Sequence, residues 1–174
     1  MKRIAGVCLA VVLVAWAGCR SESAPPNPGS PGGAPSADGG TATAPEIEAG
    51  YWINSEPLTL AGLRGKIVVV EFWATWCPPC RTSIPHLIEM HKRYGPEGVV
   101  FISLTNEPQD VVERFVKSMG MPYAVGGGSS TGRAYGVRGI PRAFVVDAEG
   151  RIVWEGHPMK DLDKAIEKAL ESGA

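Results

Sequence analysis

An apolar run from Ile67 to Trp73, broken only by Glu71, leads almost directly into Cys77-Pro78-Pro79-Cys80. The length of the run and its β-branched residues make it a strand buried on both faces. Pro78 and Pro79 are poor inside a helix and favourable in its first turn, so a helix starts at Cys77. A buried strand turning straight into a helix belongs to a sheet covered on both faces.

The rest of the chain fits that frame. Leu58, Leu60 and Leu63 before Arg64-Gly65-Lys66 read as a strand and turn. The helix from Cys77 carries Ile84, Leu87, Ile88 and His91 on one face and ends near Gly95. Val99 to Leu104 is a second buried strand. Val111, Val112, Phe115, Val116 and Met119 recur at helical spacing, and Gly120 stops that helix. Ala143 to Val146 and Ile152 to Trp154 flank Asp147-Ala148-Glu149-Gly150, a hairpin signal. Leu162, Ala165, Ile166, Ala169 and Leu170 form a last amphipathic helix. The order is β-α-β-α, then a terminal β-hairpin, then α. It implies an α/β fold with parallel strands and an antiparallel edge.

The first 45 residues have another character. Met1-Lys2-Arg3 is basic, and Ile4 to Ala17 is almost wholly apolar but short for a membrane span, as in a secretory signal. Ala15-Trp16-Ala17 fits ordinary signal cleavage. Ala17-Gly18-Cys19 resembles a bacterial lipobox, in which the Cys becomes the lipidated first residue; Trp16 stands where Leu, Val or Ile is usual. Cysteine parity favours lipidation. Of the four Cys, Cys8 leaves with the signal, Cys77 and Cys80 pair, and Cys19 would otherwise remain an odd exposed thiol. The expected organisation is a lipoprotein-type signal peptide over 1–18, a disordered Pro/Gly/Ala-rich tether over 19–45, and a folded domain over 46–174. An uncleaved anchor is the alternative at the N-terminus. The tether has too little apolar surface to offset its ordering entropy.

A net charge of −1 with scattered Lys and Arg leaves no footprint for nucleic acid. The chemistry therefore rests on the cysteines. Two Cys three apart at a helix start can close a short disulfide loop. Cys77 sits where free N–H groups and the macrodipole favour a thiolate. Cys80, one turn inside, is placed to attack a mixed disulfide on Cys77 and release a client. Other readings are half a zinc site, lacking a second Cys pair, and an inert structural disulfide. His86 and His91 follow on the same helix as surface or boundary residues, and His157 reads as solvent-facing.

Val70-Glu71-Phe72-Trp73-Ala74-Thr75-Trp76-Cys77-Pro78-Pro79-Cys80 resembles the active-site segment of the thioredoxin superfamily. Within it the chain is similar to the bacterial membrane-anchored, extracytoplasmic thioredoxin-like proteins of the TlpA/ResA type, from about Leu58 to Leu170. Gly65-Lys66 fits that group, and Pro85 matches the proline that bends its active-site helix. Tyr135-Gly136-Val137-Arg138-Gly139-Ile140-Pro141 matches its cis-proline segment. The resemblance implies a thioredoxin fold, a central mixed β-sheet flanked by helices on both faces. It implies a cis Ile140–Pro141 bond beside Cys77, with the Ile140 backbone pairing with an extended client. Trp76 would add an apolar docking rim, and Trp73 would pack.

Glu71 is a costly residue in a buried strand. Thioredoxins carry an Asp there that assists proton transfer at the inner Cys. Some TlpA/ResA relatives instead place a Glu three residues after the second Cys, where this chain has Ser83. The expectation is that Glu71 accepts the Cys80 proton; the alternative is a Glu paired with a Lys or Arg.

The resemblance implies a protein-disulfide reductase of exported proteins, for example in cytochrome c maturation. It would act as a monomer with no cofactor and no metal, fed by a membrane electron donor and held at the periplasmic side by its lipid; a soluble periplasmic form is the alternative. Two other functions stand beside it. A peroxiredoxin-like peroxidase needs a Thr three before its Cys, where Ala74 stands. A metal or haem delivery module of the same fold needs a dedicated His.

Overall fold

The computed structural model describes residues 42–173. The expected signal peptide, Cys19 and the expected tether up to residue 41 lie outside them.

Six strands form one sheet: β1 (Tyr51–Ile53), β2 (Val68–Phe72), β3 (Val100–Leu104), β4 (Ala124–Gly127), β5 (Arg142–Val146) and β6 (Ile152–Gly156). Three α-helices accompany them: α1 (Pro78–Tyr94), α2 (Gln109–Met119) and α3 (Leu162–Ser172). The spatial order is β1-β4-β3-β2-β5-β6. β2, β3 and β4 are parallel, and β1, β5 and β6 join antiparallel. The sheet is mixed, as expected, and β5–β6 is the expected hairpin. β2 is central and buried along its whole length.

The crossovers β2-α1-β3 and β3-α2-β4 step in the same direction. Right-handed connections then place α1 and α2 on the same face. Ile84 and Leu87 of α1, Val112 and Phe115 of α2 and Leu162 and Ile166 of α3 all enter one core cluster with Val69 and Val145. The opposite face carries none of these α-helices, which corrects the expectation of helices on both faces; it is covered by short elements and loops. There Leu60, Tyr135 and Ile47 pack on Val70, Phe72, Ile102 and Phe144. Phe72, Tyr135 and Phe144 form an aromatic trio with ring centroids 4.9–5.8 Å apart.

Three further expectations are corrected. The strand expected around Leu58–Leu63 is a 3₁₀ turn at Ala61–Leu63. There the Glu46 carboxylate accepts from the N–H groups of Leu60 and Ala61 at 2.5 and 3.0 Å, taking two donors that strand pairing would use. Next, β1 and β4 have no counterpart in the sequence reading. Gly126 and Gly127 of β4 look like loop residues but make room for their neighbours. A Cβ on Gly127 would fall within the Tyr51 ring, and one on Gly126 would lie 2.8 Å from Leu104 Cδ2. Lastly, residues 42–45, given to the tether, sit on the domain. Ile152 N–H donates to the Ala42 carbonyl at 2.8 Å, and Ala44 N–H to the Gly150 carbonyl at 2.9 Å.

Candidate active site

Cys77 and Cys80 form a disulfide, with Cα atoms 5.3 Å apart. Cys77 is the N-cap of α1, with extended backbone angles, and Pro78 and Pro79 fill the first two helical positions. Neither proline has an N–H to leave unpaired there. The Cys77 sulfur instead accepts from the Cys80 N–H at 3.3 Å. A thiolate at that atom gains the same N–H and the positive end of the helix. Cys80 is wholly buried and Cys77 is 3% exposed. Pro85 lies inside α1, as the resemblance implied.

The Ile140–Pro141 bond is cis. The Ile140 carbonyl oxygen lies 3.9 Å from the Cys77 sulfur. Pro141 is buried, and Ile140 is half-buried. Trp76, by contrast, is 69% exposed, a large apolar side chain left in water beside the disulfide. Trp73 is buried against Phe115 with ring centroids 5.3 Å apart. A groove of about 320 Å³ opens between Trp76 and Ile140 on one side and Asn106, Ser129, Ser130 and Arg133 on the other. The sequence reading singled out nothing on that second wall. It comes from the connections after β3 and β4, whose polar residues carry no local pattern that marks a groove.

Glu71 is 1% exposed, in the middle of β2 between Ser103 of β3 and Ala143 of β5. Ser103 Oγ donates to Glu71 Oε2 at 2.6 Å, and Oε1 has no partner among the described residues. No Lys or Arg pairs with it there. Burial pushes its pKa up to about 7, against a smaller lowering by the Ser103 hydrogen bond. Tyr123, whose own pKa is raised by burial and by the Glu71 charge, lies nearby. Ser83 is buried and donates to the Cys80 carbonyl at 2.9 Å.

The histidines lie elsewhere. His91 packs edge-on against Phe101 and Tyr123, and burial lowers its pKa. His157 is half-buried, and its Nδ1 accepts from the Met159 N–H at 3.2 Å. Among the described residues no three His, Cys, Asp or Glu side chains gather into a metal-binding group.

A dithiol–disulfide pair at a helix start, faced by a cis-proline loop, defines a thioredoxin-fold thiol–disulfide oxidoreductase. The chain belongs to the Redoxin family, whose profile matches residues 41–170. It is similar to the thiol-disulfide oxidoreductase ResA of Halalkalibacterium halodurans, 36% identical over 122 residues, which are 68% of this chain and 69% of that protein. It is also similar to the thiol:disulfide interchange protein HelX of Rhodobacter capsulatus, 44% identical over 101 residues, or 56% of each chain. The match to ResA of Bacillus anthracis spans 60% of that protein. Among solved structures, a thiol:disulfide interchange protein of the thioredoxin family from Chlorobium tepidum TLS superposes with a TM-score of 0.65 at 32% identity, covering 77% of this chain and 99% of that one.

Proposed function

We propose that the protein is an extracytoplasmic reductase of disulfides in exported proteins, cytochrome c precursors among them. The observation that carries the reading is the asymmetry of the pair. Cys77 is the N-cap of the helix with its sulfur 3.9 Å from the Ile140 carbonyl oxygen, whereas Cys80 lies inside the first turn with no exposure. The ResA and HelX names of its relatives support the chemistry.

In the reduced protein the Cys77 thiolate attacks a client disulfide. A Cys77–client S–S bond forms, and the other client sulfur leaves as thiolate. Cys80 then loses its proton and attacks the Cys77 sulfur, forming the Cys77–Cys80 disulfide and releasing the second client thiolate. The client gains the two electrons the pair loses. Glu71 is the acceptor of the Cys80 proton; a carboxylate held near neutrality by burial takes it up without a large energetic step. Trp76 and the Ile140 backbone hold the client segment. A membrane dithiol donor restores the reduced pair.

The membrane side of the reading rests on the sequence before residue 42. There the reading takes Cys19 as lipidated and the Pro/Gly/Ala-rich segment after it as the link that lets the domain reach clients near the bilayer.

The test is covalent trapping with the full-length chain. Cys80→Ser accumulates a mixed disulfide on Cys77 with exported thiol proteins, and Cys77→Ser accumulates none. Trapping through the Cys77→Ser chain, or through neither, contradicts the assignment of Cys77 as the attacking residue.

A further inference from the structure

Glu107 lies in the connection between β3 and α2, next to Pro108, and is half-buried. Its carboxylate is turned back to the segment that carries Cys77. Oε2 accepts from the Thr75 backbone N–H at 2.6 Å, and Oε1 accepts from the Thr75 hydroxyl at 2.6 Å. The Thr105 hydroxyl adds a third contact at 3.1 Å. Short bonds to an ionised acceptor are among the stronger ones a surface loop can make. The backbone of Glu107 is held as well. Its carbonyl accepts from the Tyr51 hydroxyl at 2.8 Å and from the Gly128 N–H at 3.3 Å. One residue thus ties the segment before Cys77 to β1, to the end of β3 and to the end of β4.

The segment it holds has few other restraints. Between the end of β2 at Phe72 and the first residue of α1 at Pro78, the backbone bonds are Trp73 N–H to the Leu104 carbonyl, Cys77 N–H to the Ala74 carbonyl and, at the start of the helix, Arg81 N–H to the Cys77 carbonyl. Thr75 N–H has Glu107 as its partner. Trp76 follows directly and is mostly in water.

We propose that Glu107 is the positioning residue of the active site, a latch that fixes Thr75 and thereby holds Cys77 at the N-cap of α1. The latch rests on the disulfide-exchange reading for its purpose, but its effect on Cys77 is read without any client. With Thr75 fixed, the Cys77 sulfur stays against the Cys80 N–H. With Thr75 loose, the thiolate loses that donor for part of the time.

The experiment is alkylation of the reduced full-length chain by iodoacetamide across pH, with modification of Cys77 followed by mass spectrometry. Glu107→Ala raises the pH midpoint of Cys77 enough to cut the thiolate fraction below the midpoint by about threefold, half a pH unit. Thr75→Val, which keeps the backbone bond, raises it less. The double variant is no worse than Glu107→Ala alone, because both act through one contact. Glu107→Gln, able to bond both Thr75 groups without charge, leaves the midpoint at or below that of the unaltered chain. Removal of a negative charge on its own would lower the midpoint in Glu107→Ala too. A midpoint in Glu107→Ala that is unchanged or lowered overturns the latch, even if the melting temperature falls. So does an additive effect of the two single changes. A protein with a normal Cys77 midpoint that exchanges with no client would instead count against the proposed function alone.

Discussion

The Cys77 sulfur lies 3.9 Å from the Ile140 carbonyl oxygen, joining two loops 63 residues apart in the chain. In the proposed exchange, a client sulfur bonded to Cys77 sits near that carbonyl. Trp76 stands on the same side, 69% exposed.

On the proposed function, Trp76 serves the client more than the fold. Trp76→Ala is expected to raise KM for a protein disulfide several-fold while changing unfolding stability by less than about 0.5 kcal/mol. Steady-state reduction of an unfolded disulfide-bonded protein, beside urea unfolding, measures both. A stability loss with an unaltered KM would place Trp76 in the packing instead.

Glu71 carries a pH signature. Its pKa is pushed up to about 7 in the folded chain from 4.5. The folded state thus holds the proton more tightly than the unfolded state. The stability this contributes is complete below pH 4.5 and is lost as pH rises to about 7, on the order of 3–4 kcal/mol at about 1.4 kcal/mol per pH unit. Glu71→Gln removes that loss and is more stable than the parent above pH 7. It also slows release of client from the Cys77 mixed disulfide at neutral pH. Stability profiles that run parallel for parent and variant, or a release rate that is unchanged, would remove Glu71 from this role.

Gly127 makes the sheet edge possible. A Cβ there would occupy the space of the Tyr51 ring, so Gly127→Ala must push Tyr51 aside. A cost of about 1–3 kcal/mol in urea unfolding is expected, as for other overpacked sites. No cost would mean that Tyr51 moves freely and that the β1–β4 pairing does not depend on it.

Tyr135 fastens the start of the domain. Its buried ring sits in the aromatic trio, and its hydroxyl donates to the Pro45 carbonyl at 2.9 Å. Tyr135→Phe is expected to cost about 1 kcal/mol and to expose the chain near Pro45 to proteases. Limited proteolysis with mass mapping shows whether cleavage moves there.

How much of this was legible beforehand depended on the type of signal. β2 and α1 were readable because an apolar run and a proline pair at a helix start are local patterns. Their junction identified Cys77 and Cys80 without further help. Glu71 was visible as a charge out of place. Pro141 was visible only through the resemblance, since a lone proline does not reveal where it sits. β4 was hidden because Gly126 and Gly127 are small on account of Tyr51, Ala49 and Leu104, residues distant in sequence. Glu107 was hidden for a related reason: its partner Thr75 is 32 residues away, and an acid before a proline at a helix start looks ordinary. Ala42 to Pro45 read as tether by composition, but their backbone groups are claimed by Gly150, Ile152 and Tyr135.

The central claim is that Cys77 and Cys80 are a reversible redox pair. Equilibration of the full-length chain in graded thiol–disulfide buffers, followed by trapping of free thiols, tests it directly. A single two-electron transition is expected, with a potential near that of thioredoxin, about −270 mV, as suits a reductase. A potential near about −120 mV would make the protein a disulfide donor and contradict the direction. No transition at all would contradict the account at its root.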